Sequence, residues 1–259
     1  LVGRDANFEL GGLGTHIYSE IETKLDIPKL NVALNNLIKR HPMLRARFIP
    51  ETQQQIILKD VPQYVIKYQD ISMLDANEQQ SIILKERNRM SHYVFDPSKW
   101  PLFELTALKL GDDKNYLFFG YDMLIADGLS IGIFTEEIAA FYNNRELPPI
   151  DFTFRDYIQA YVDFKESKTY HRDKQYHLDR IDTLPLGPSL LLKDSPSNIK
   201  KPFFARKEKF FTVERWLKLK QTAQSNHVTP TALLCTAYAT MLNTWSSEHS
   251  FTINLTVFN

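Results

Sequence analysis

Apolar positions along the chain fall into two rhythms, and the change between them marks the elements. Residues 15–22 alternate apolar and polar side chains, which predicts a strand. Asp26 then stands as a helix cap with Pro28 in the first turn. Leu30, Leu34, Leu37 and Ile38 give that helix one apolar stripe, and His41-Pro42 ends it. Short strands are expected at 44–48, 54–58 and 65–68, followed by a polar-faced helix over 74–92. Strands return at 103–109 and 115–123, joined by the turn Gly111-Asp112-Asp113. Leu129, Ile133, Phe134, Ile138 and Phe141 recur at helical spacing, predicting a helix over 129–142, and a further helical stretch runs from 154 to about 180.

From Asp182 the rhythm is lost. Residues 182–202 are rich in Pro and Ser and read as an ordered crossing loop or linker. A strand over 203–211 and helices over 213–225 and 229–245 follow, the last opened by Thr229 as cap with Pro230 behind it. A strand of β-branched residues at 251–258 runs into the end of the sequence, as if cut off mid-sheet. The opening Leu1-Val2-Gly3, without Met, points the same way. The pattern divides into 1–181, the linker 182–202, and 203–259 as the start of a second body.

Composition narrows the function classes. The chain is 43% apolar and 24% charged, with 31 basic and 31 acidic residues, so no electrostatic argument favours nucleic acid or an anionic membrane surface. No apolar run reaches the ~20 residues of a membrane helix, and no secretory leader opens the sequence. One cysteine, Cys235, excludes an internal disulfide and a multi-cysteine metal site, and a reducing cytoplasm is the expected compartment.

Chemistry concentrates at Asp122-Met123-Leu124-Ile125-Ala126-Asp127-Gly128-Leu129-Ser130, where an apolar strand runs out into a helix start. Side chains at such a junction are fixed by a rigid scaffold. Spacing alone leaves two readings open for the carboxylates. Asp122 and Asp127 are an acid/base pair, or Asp127 caps a turn and Asp122 faces solvent. Ser130 either binds substrate or caps the helix. Arg40, His41 and Arg45 meet at a helix-to-strand corner. A general base at His41 is one reading, and a structural corner with the arginines paired to carboxylates across the sheet is the other. Gly11-Gly12-Leu13-Gly14 lacks the Lys and Ser/Thr of a phosphate loop. Cys235 reads as a small buried hydrophobe, and His171 and His177 belong to a solvated charged helix rather than a metal site.

The blocks around these residues resemble the heterocyclization domains of nonribosomal peptide synthetases, relatives of condensation domains within the chloramphenicol acetyltransferase-like superfamily. Ordinary condensation domains carry His-His-x-x-x-Asp-Gly where this chain has Asp122, Met123 and Asp127-Gly128. The pattern Asp-x-x-x-x-Asp-x-x-Ser, matched by Asp122, Asp127 and Ser130, marks the heterocyclization branch. Gly3-Arg4 with Phe8-Glu9-Leu10-Gly11-Gly12 agrees with the family order, as do Arg40-His41-Pro42-Met43-Leu44-Arg45, Trp100-Pro101-Leu102-Phe103-Glu104 and Phe154-Arg155-Asp156-Tyr157. So do the block at 184–192, in which Leu191 replaces a proline, the stretch 229–246, and the closing strand 251–259.

The resemblance implies an α/β fold, an α+β sandwich with one complete chloramphenicol acetyltransferase-like lobe and the start of a second. It implies carrier-protein partners that deliver thioesters on phosphopantetheine arms, a neighbouring adenylation domain, and no cofactor bound by the domain itself. Asp127 is expected to hold the architecture, Asp122 to be structural or substrate-orienting, and Met123 and Ser130 to line the substrate path. The family's arginine after the Phe-Asn pair would follow Asn259. With Asp127 lacking that partner, its pKa is expected to rise.

Overall fold

The computed structural model describes residues 14–199, 203, 205, 207 and 209–255. The chain divides into two compact units at Ala160/Tyr161. The first is built on a four-stranded sheet in the order β1-β6-β5-β4, from β1 (His16–Thr23), β4 (Lys67–Asp70), β5 (Phe103–Gly111) and β6 (Lys114–Asp122). β1 and β5 both pair antiparallel with β6, and β4 runs parallel to β5. A parallel pair needs a crossover, supplied by helix α2 (Ala76–Ser91). Strands β2 (Ala46–Ile49) and β3 (Gln54–Ile57) form a separate hairpin.

Alternation along the strands sorts the side chains onto two faces. Phe103, Leu105, Ala107, Leu117 and Tyr121 join the larger core with Leu30, Leu34 and Leu37 of α1 (Ile27–Arg40) and Phe134 of α3 (Gly128–Tyr142). Leu108 and Phe118 point the other way and pack with Ile83 and Met90 of α2. Helices on both faces explain why β5 is buried continuously from Phe103 to Leu108, Glu104 and Thr106 included. Glu104 lies in that buried run because Lys67 and Arg89 both reach its carboxylate, at 2.5 and 2.7 Å. Those two cations hold its pKa below the usual carboxylate value against the opposing effect of burial, the largest single influence.

Helix starts obey the local rules. Asp26 accepts from the Lys29 N–H at 2.7 Å, and Asp75 with Glu78 forms a reciprocal capping box. The helical stretch expected as one body from 154 to about 180 is two helices, α4 (Phe154–Phe164) and α5 (Lys168–Ile181). Ser167 breaks it by capping α5, its hydroxyl accepting from the Tyr170 N–H at 3.1 Å.

The second unit contains α5, α6 (Val213–Ser225) and α7 (Pro230–Trp245), with α6 packed on α7. The expected cap Thr229 is present. Residues around Ser189 are tied to the chain after α7 by an isolated Leu190–Ser246 bridge and by Ser247 N–H to Ser189 O at 3.1 Å. The described positions of 203–211 are not strand, nor are residues 251–255, in contrast to the β-propensity there. A strand needs a ladder of partners for its backbone groups; among the described residues no strand pairs with these segments, although Thr252 N–H donates to Leu186 O at 2.9 Å. Residues 256–258 of that expected strand lie outside the described residues, as do Gly3-Arg4 and the stretch from Phe8 through Leu13.

Candidate functional site

The first described strand after the hairpin that reaches the site is β6, and its last residue is Asp122. The Asp122 side chain is 1% exposed, which rules out the solvent-facing alternative. Its backbone N–H donates to Leu102 O at 2.9 Å, and its Oδ1 accepts from the Leu124 N–H at 2.9 Å. A carboxylate that receives the N–H two residues on forms a side-chain-closed turn, here closed further by Ile125 N–H to Asp122 O at 3.1 Å. Buried Ile125 and Ala126 anchor the far side of that turn. Met123, at its outer corner, is 43% exposed, with its N–H on Thr15 O at 3.0 Å.

Asp127 is the cap of α3. Its Oδ1 accepts from the Ser130 N–H at 2.8 Å and from the Ser130 hydroxyl at 2.6 Å. The Ser130 hydroxyl, then its N–H, hold the Asp127 pKa below the ordinary carboxylate value, where a rise was expected. The reason is local: the helix N-terminus supplies the donors that the anticipated arginine would have provided. The two motif carboxylates thus use separate partners. Asp127 and Ser130 are brought together as one capping unit, while Asp122 is fastened to its own turn.

At the Arg40–His41–Arg45 corner the contacts differ from the expected pairing of both arginines with carboxylates across the sheet. Arg40 Nε and His41 Nε2 both meet Glu137 Oε2, at 3.0 and 2.5 Å, and Glu137 lies on α3, not across the sheet. Arg40 Nη1 also reaches Pro148 O at 2.6 Å, and the His41 ring packs edge-on against Phe134 at 5.0 Å. Among the described residues Arg45 pairs with no carboxylate. It donates to the carbonyls of Ile38, Leu58 and Lys59 at 3.2, 2.8 and 3.0 Å, tying α1 to the hairpin.

Two residues escaped the sequence reading. Glu137 is a single acid three positions after Phe134 on the inward side of α3, and that interruption of an apolar stripe was its only signal. His16 stands opposite Asp122 in the β1–β6 register, and no local pattern reports a register. Of the expected helix stripe, Phe134 is buried, whereas Leu129 and Ile133 are about half exposed at 52% and 50%. An open depression of about 410 Å³ is lined by Asn36, Lys39, Arg40, Phe141, Leu147 and Ile150 and includes none of Asp122, Met123, Asp127 and Ser130. Cys235 is a free, half-buried thiol, and no group of three metal-ligating side chains occurs among the described residues. Among them, too, no helix is long and apolar enough to cross a membrane.

Residues 14–259 match the family described as the condensation domain. Bacitracin synthase 1 of Bacillus licheniformis is 40% identical over an alignment of 261 positions, covering 100% of this chain and 5% of that protein. Phenyloxazoline synthase MbtB of Mycobacterium sp. (strain MCS) is 30% identical, over 99% of this chain and 22% of the relative. The chain therefore spans only a small part of the curated relatives it matches. Among solved structures, the EpoB NRPS cyclization-docking bidomain from Sorangium cellulosum superposes with a TM-score of 0.83 at 29% identity, covering 96% of this chain and 50% of that one.

Proposed function

The chain belongs to the condensation-domain family of the nonribosomal peptide synthetases, and from that premise we propose that it serves heterocyclization. In this reading a carrier-bound acyl or peptidyl thioester is condensed with carrier-bound Cys, Ser or Thr, and the product is cyclodehydrated to a thiazoline or oxazoline. The observation that carries it is the triad of motif positions Asp122, Asp127 and Ser130 with Met123 between them. Met123 has no proton to move at the position where ordinary condensation domains hold the second histidine. Similarity to a phenyloxazoline synthase, to pyochelin synthetase PchF of Pseudomonas aeruginosa and to the EpoB cyclization bidomain supports the same branch.

The chemistry has two stages. The acceptor amine attacks the donor thioester carbonyl, a C–N bond forms, and the C–S bond breaks with the proton passing to the leaving thiol. Thioesters are activated and free amines nucleophilic, so holding the two arms in line supplies much of the rate. The acceptor's thiol or hydroxyl then adds to the new amide carbon. Loss of the former carbonyl oxygen as water and of the nitrogen's proton leaves the ring C=N. This second stage needs a proton donor and an acceptor. In our reading Asp122 orients substrate from the end of β6, and Asp127 with Ser130 fixes the start of α3 beside it. Met123 and Ser130 border the path of the arms. Carrier proteins, which bring the phosphopantetheine, and an adenylation domain are the partners, and the cytoplasm is the compartment.

The test is reconstitution of the synthetase with donor- and cysteine-loaded carriers, with products weighed by mass spectrometry. A product lighter than the linear amide by one water, and inert to thiol alkylation, is expected. Linear amide alone would overturn the proposal in favour of ordinary condensation, a reading that the 40% identity to bacitracin synthase 1 leaves open. No amide at all would favour a non-catalytic carrier-docking module. In the same assay Asp122→Asn should depress ring formation at least ~tenfold.

A further inference from the structure

β1 and β6 run antiparallel in a register that sets His16 opposite Asp122. The neighbouring pair, Thr15 and Met123, is joined by the main-chain bond Met123 N–H to Thr15 O at 3.0 Å. His16 and Asp122 therefore occupy a non-hydrogen-bonded position, where opposed residues approach to a Cα separation of about 4.5 Å and their side chains share a face. That face is the one covered by α2. Asp122 is 1% exposed, and His16 Nε2 is buried with no hydrogen-bond partner among the described residues. Three other buried side-chain atoms are in the same condition, Arg47 Nε, Thr106 Oγ1 and Asn115 Oδ1. Of the four, only the imidazole changes charge near neutral pH and only it opposes a motif carboxylate. A buried polar atom left without a partner calls for an explanation, and hydrogen bonds of a reaction site are often completed only in the substrate complex.

We propose that His16 is a positioning residue for Asp122, its Nε2 kept for a hydrogen bond to that carboxyl which is completed when substrate is bound and fixes the orientation of the acid. The inference rests on the heterocyclization reading for what Asp122 does, but not for the pairing itself. Charge and solvation around the ring agree with the role. Burial is the strongest influence on His16 and lowers its pKa, disfavouring the charged ring. A neutral ring can donate or accept one hydrogen bond at either nitrogen. The groups that bear on it from the surrounding elements are few. Hydrogen bonding of the ring to the Met90 carbonyl, then the charge of Asp122 on β6, then hydrogen bonding to the Gly14 carbonyl favour the protonated ring, and His92 at the end of α2 opposes it.

Two measurements test the pair. The first is a histidine-selective NMR titration of the full chain, wild type against Asp122→Asn. The Asp122 charge already acts on the ring in the free chain, so its loss should lower the His16 midpoint, and an unmoved midpoint overturns the pairing whatever the protein synthesises. The second is product analysis in the synthetase that carries this chain, using His16→Phe and His16→Gln. His16→Phe keeps a ring but loses Nε2. Ring closure should fall at least ~tenfold while linear amide formation stays within about twofold of wild type. Wild-type ring closure in His16→Phe sinks the proposal. Should that variant fail to fold, His16→Gln decides. Its amide keeps a hydrogen-bonding group near Nε2 but does not titrate, so partial ring closure without the histidine limb of the pH profile is expected, and an unaltered profile overturns the role. If the wild-type protein releases only linear amide, heterocyclization is lost as a function while the titration still decides whether His16 and Asp122 are coupled.

Discussion

Asp127 and Ser130 illustrate how one side chain can answer to both fold and chemistry. The carboxylate caps α3 through two donors of the same residue, so its charged form is favoured over the unfolded chain. A depressed folded-state pKa means that this stabilisation is fully present above the ordinary aspartate value near 3.9 and is lost as pH falls through the lower folded value. Ser130→Ala removes the hydroxyl donor and leaves the N–H. It should cost about 1 kcal/mol at neutral pH. That deficit should shrink towards zero as pH falls through the depressed folded-state value and the carboxylate is neutralised in both proteins. Thermal unfolding midpoints of the two proteins across that range check the sign as well as the size. Glu137 is the converse case at the same scale: an acid with no motif around it that nonetheless takes the hydrogen bonds of Arg40 and His41.

At the scale of elements, Gly120 on β6 tests how tightly α2 lies on the sheet. A methyl group there would meet Met90 Cε and Phe95 Cζ at 3.7 Å and Ile17 O at 3.9 Å, all ordinary contact distances. Gly120→Ala should therefore be accommodated and, by restricting the unfolded chain, leave stability unchanged or raised by about 0.5 kcal/mol. Chemical denaturation would read it, and a loss above about 1 kcal/mol would show that the helix lies closer than described. Element boundaries were legible where capping chemistry is local: Asp26 and Thr229, both expected as caps, are found as caps. The break at Ser167 was not read, because a serine inside a charged helical pattern looks the same whether it faces water or starts a new helix.

Over the whole molecule, burial is unevenly shared. The unit up to Ala160 holds both hydrophobic clusters. Among the described residues from Tyr161 onward, only Ala223, Leu242 and Ser246 are buried. Protection against amide exchange follows buried, cooperatively packed structure. Hydrogen-exchange mass spectrometry of the full chain should find the slowest amides in β5, β6 and α1, with α5 and α6 exchanging far sooner. Comparable protection in α5 would contradict this distribution.

The sequence by itself determined the main strands and helices of the first unit and the caps at Asp26 and Thr229, through local periodicity, and the mixed α/β class and the family, through the resemblance that its short motifs carry. It also placed Asp122, Asp127 and Ser130 at a strand-to-helix junction. What only the tertiary structure decided were the partnerships. Asp122 is enclosed rather than solvated, Arg40 and His41 share Glu137 instead of a sheet carboxylate, Arg45 binds carbonyls, and His16 opposes Asp122. The physical reason is one of range. Helix and strand preferences are set within a few residues, whereas strand register and the burial of a charge depend on segments about a hundred residues apart in the chain being packed together.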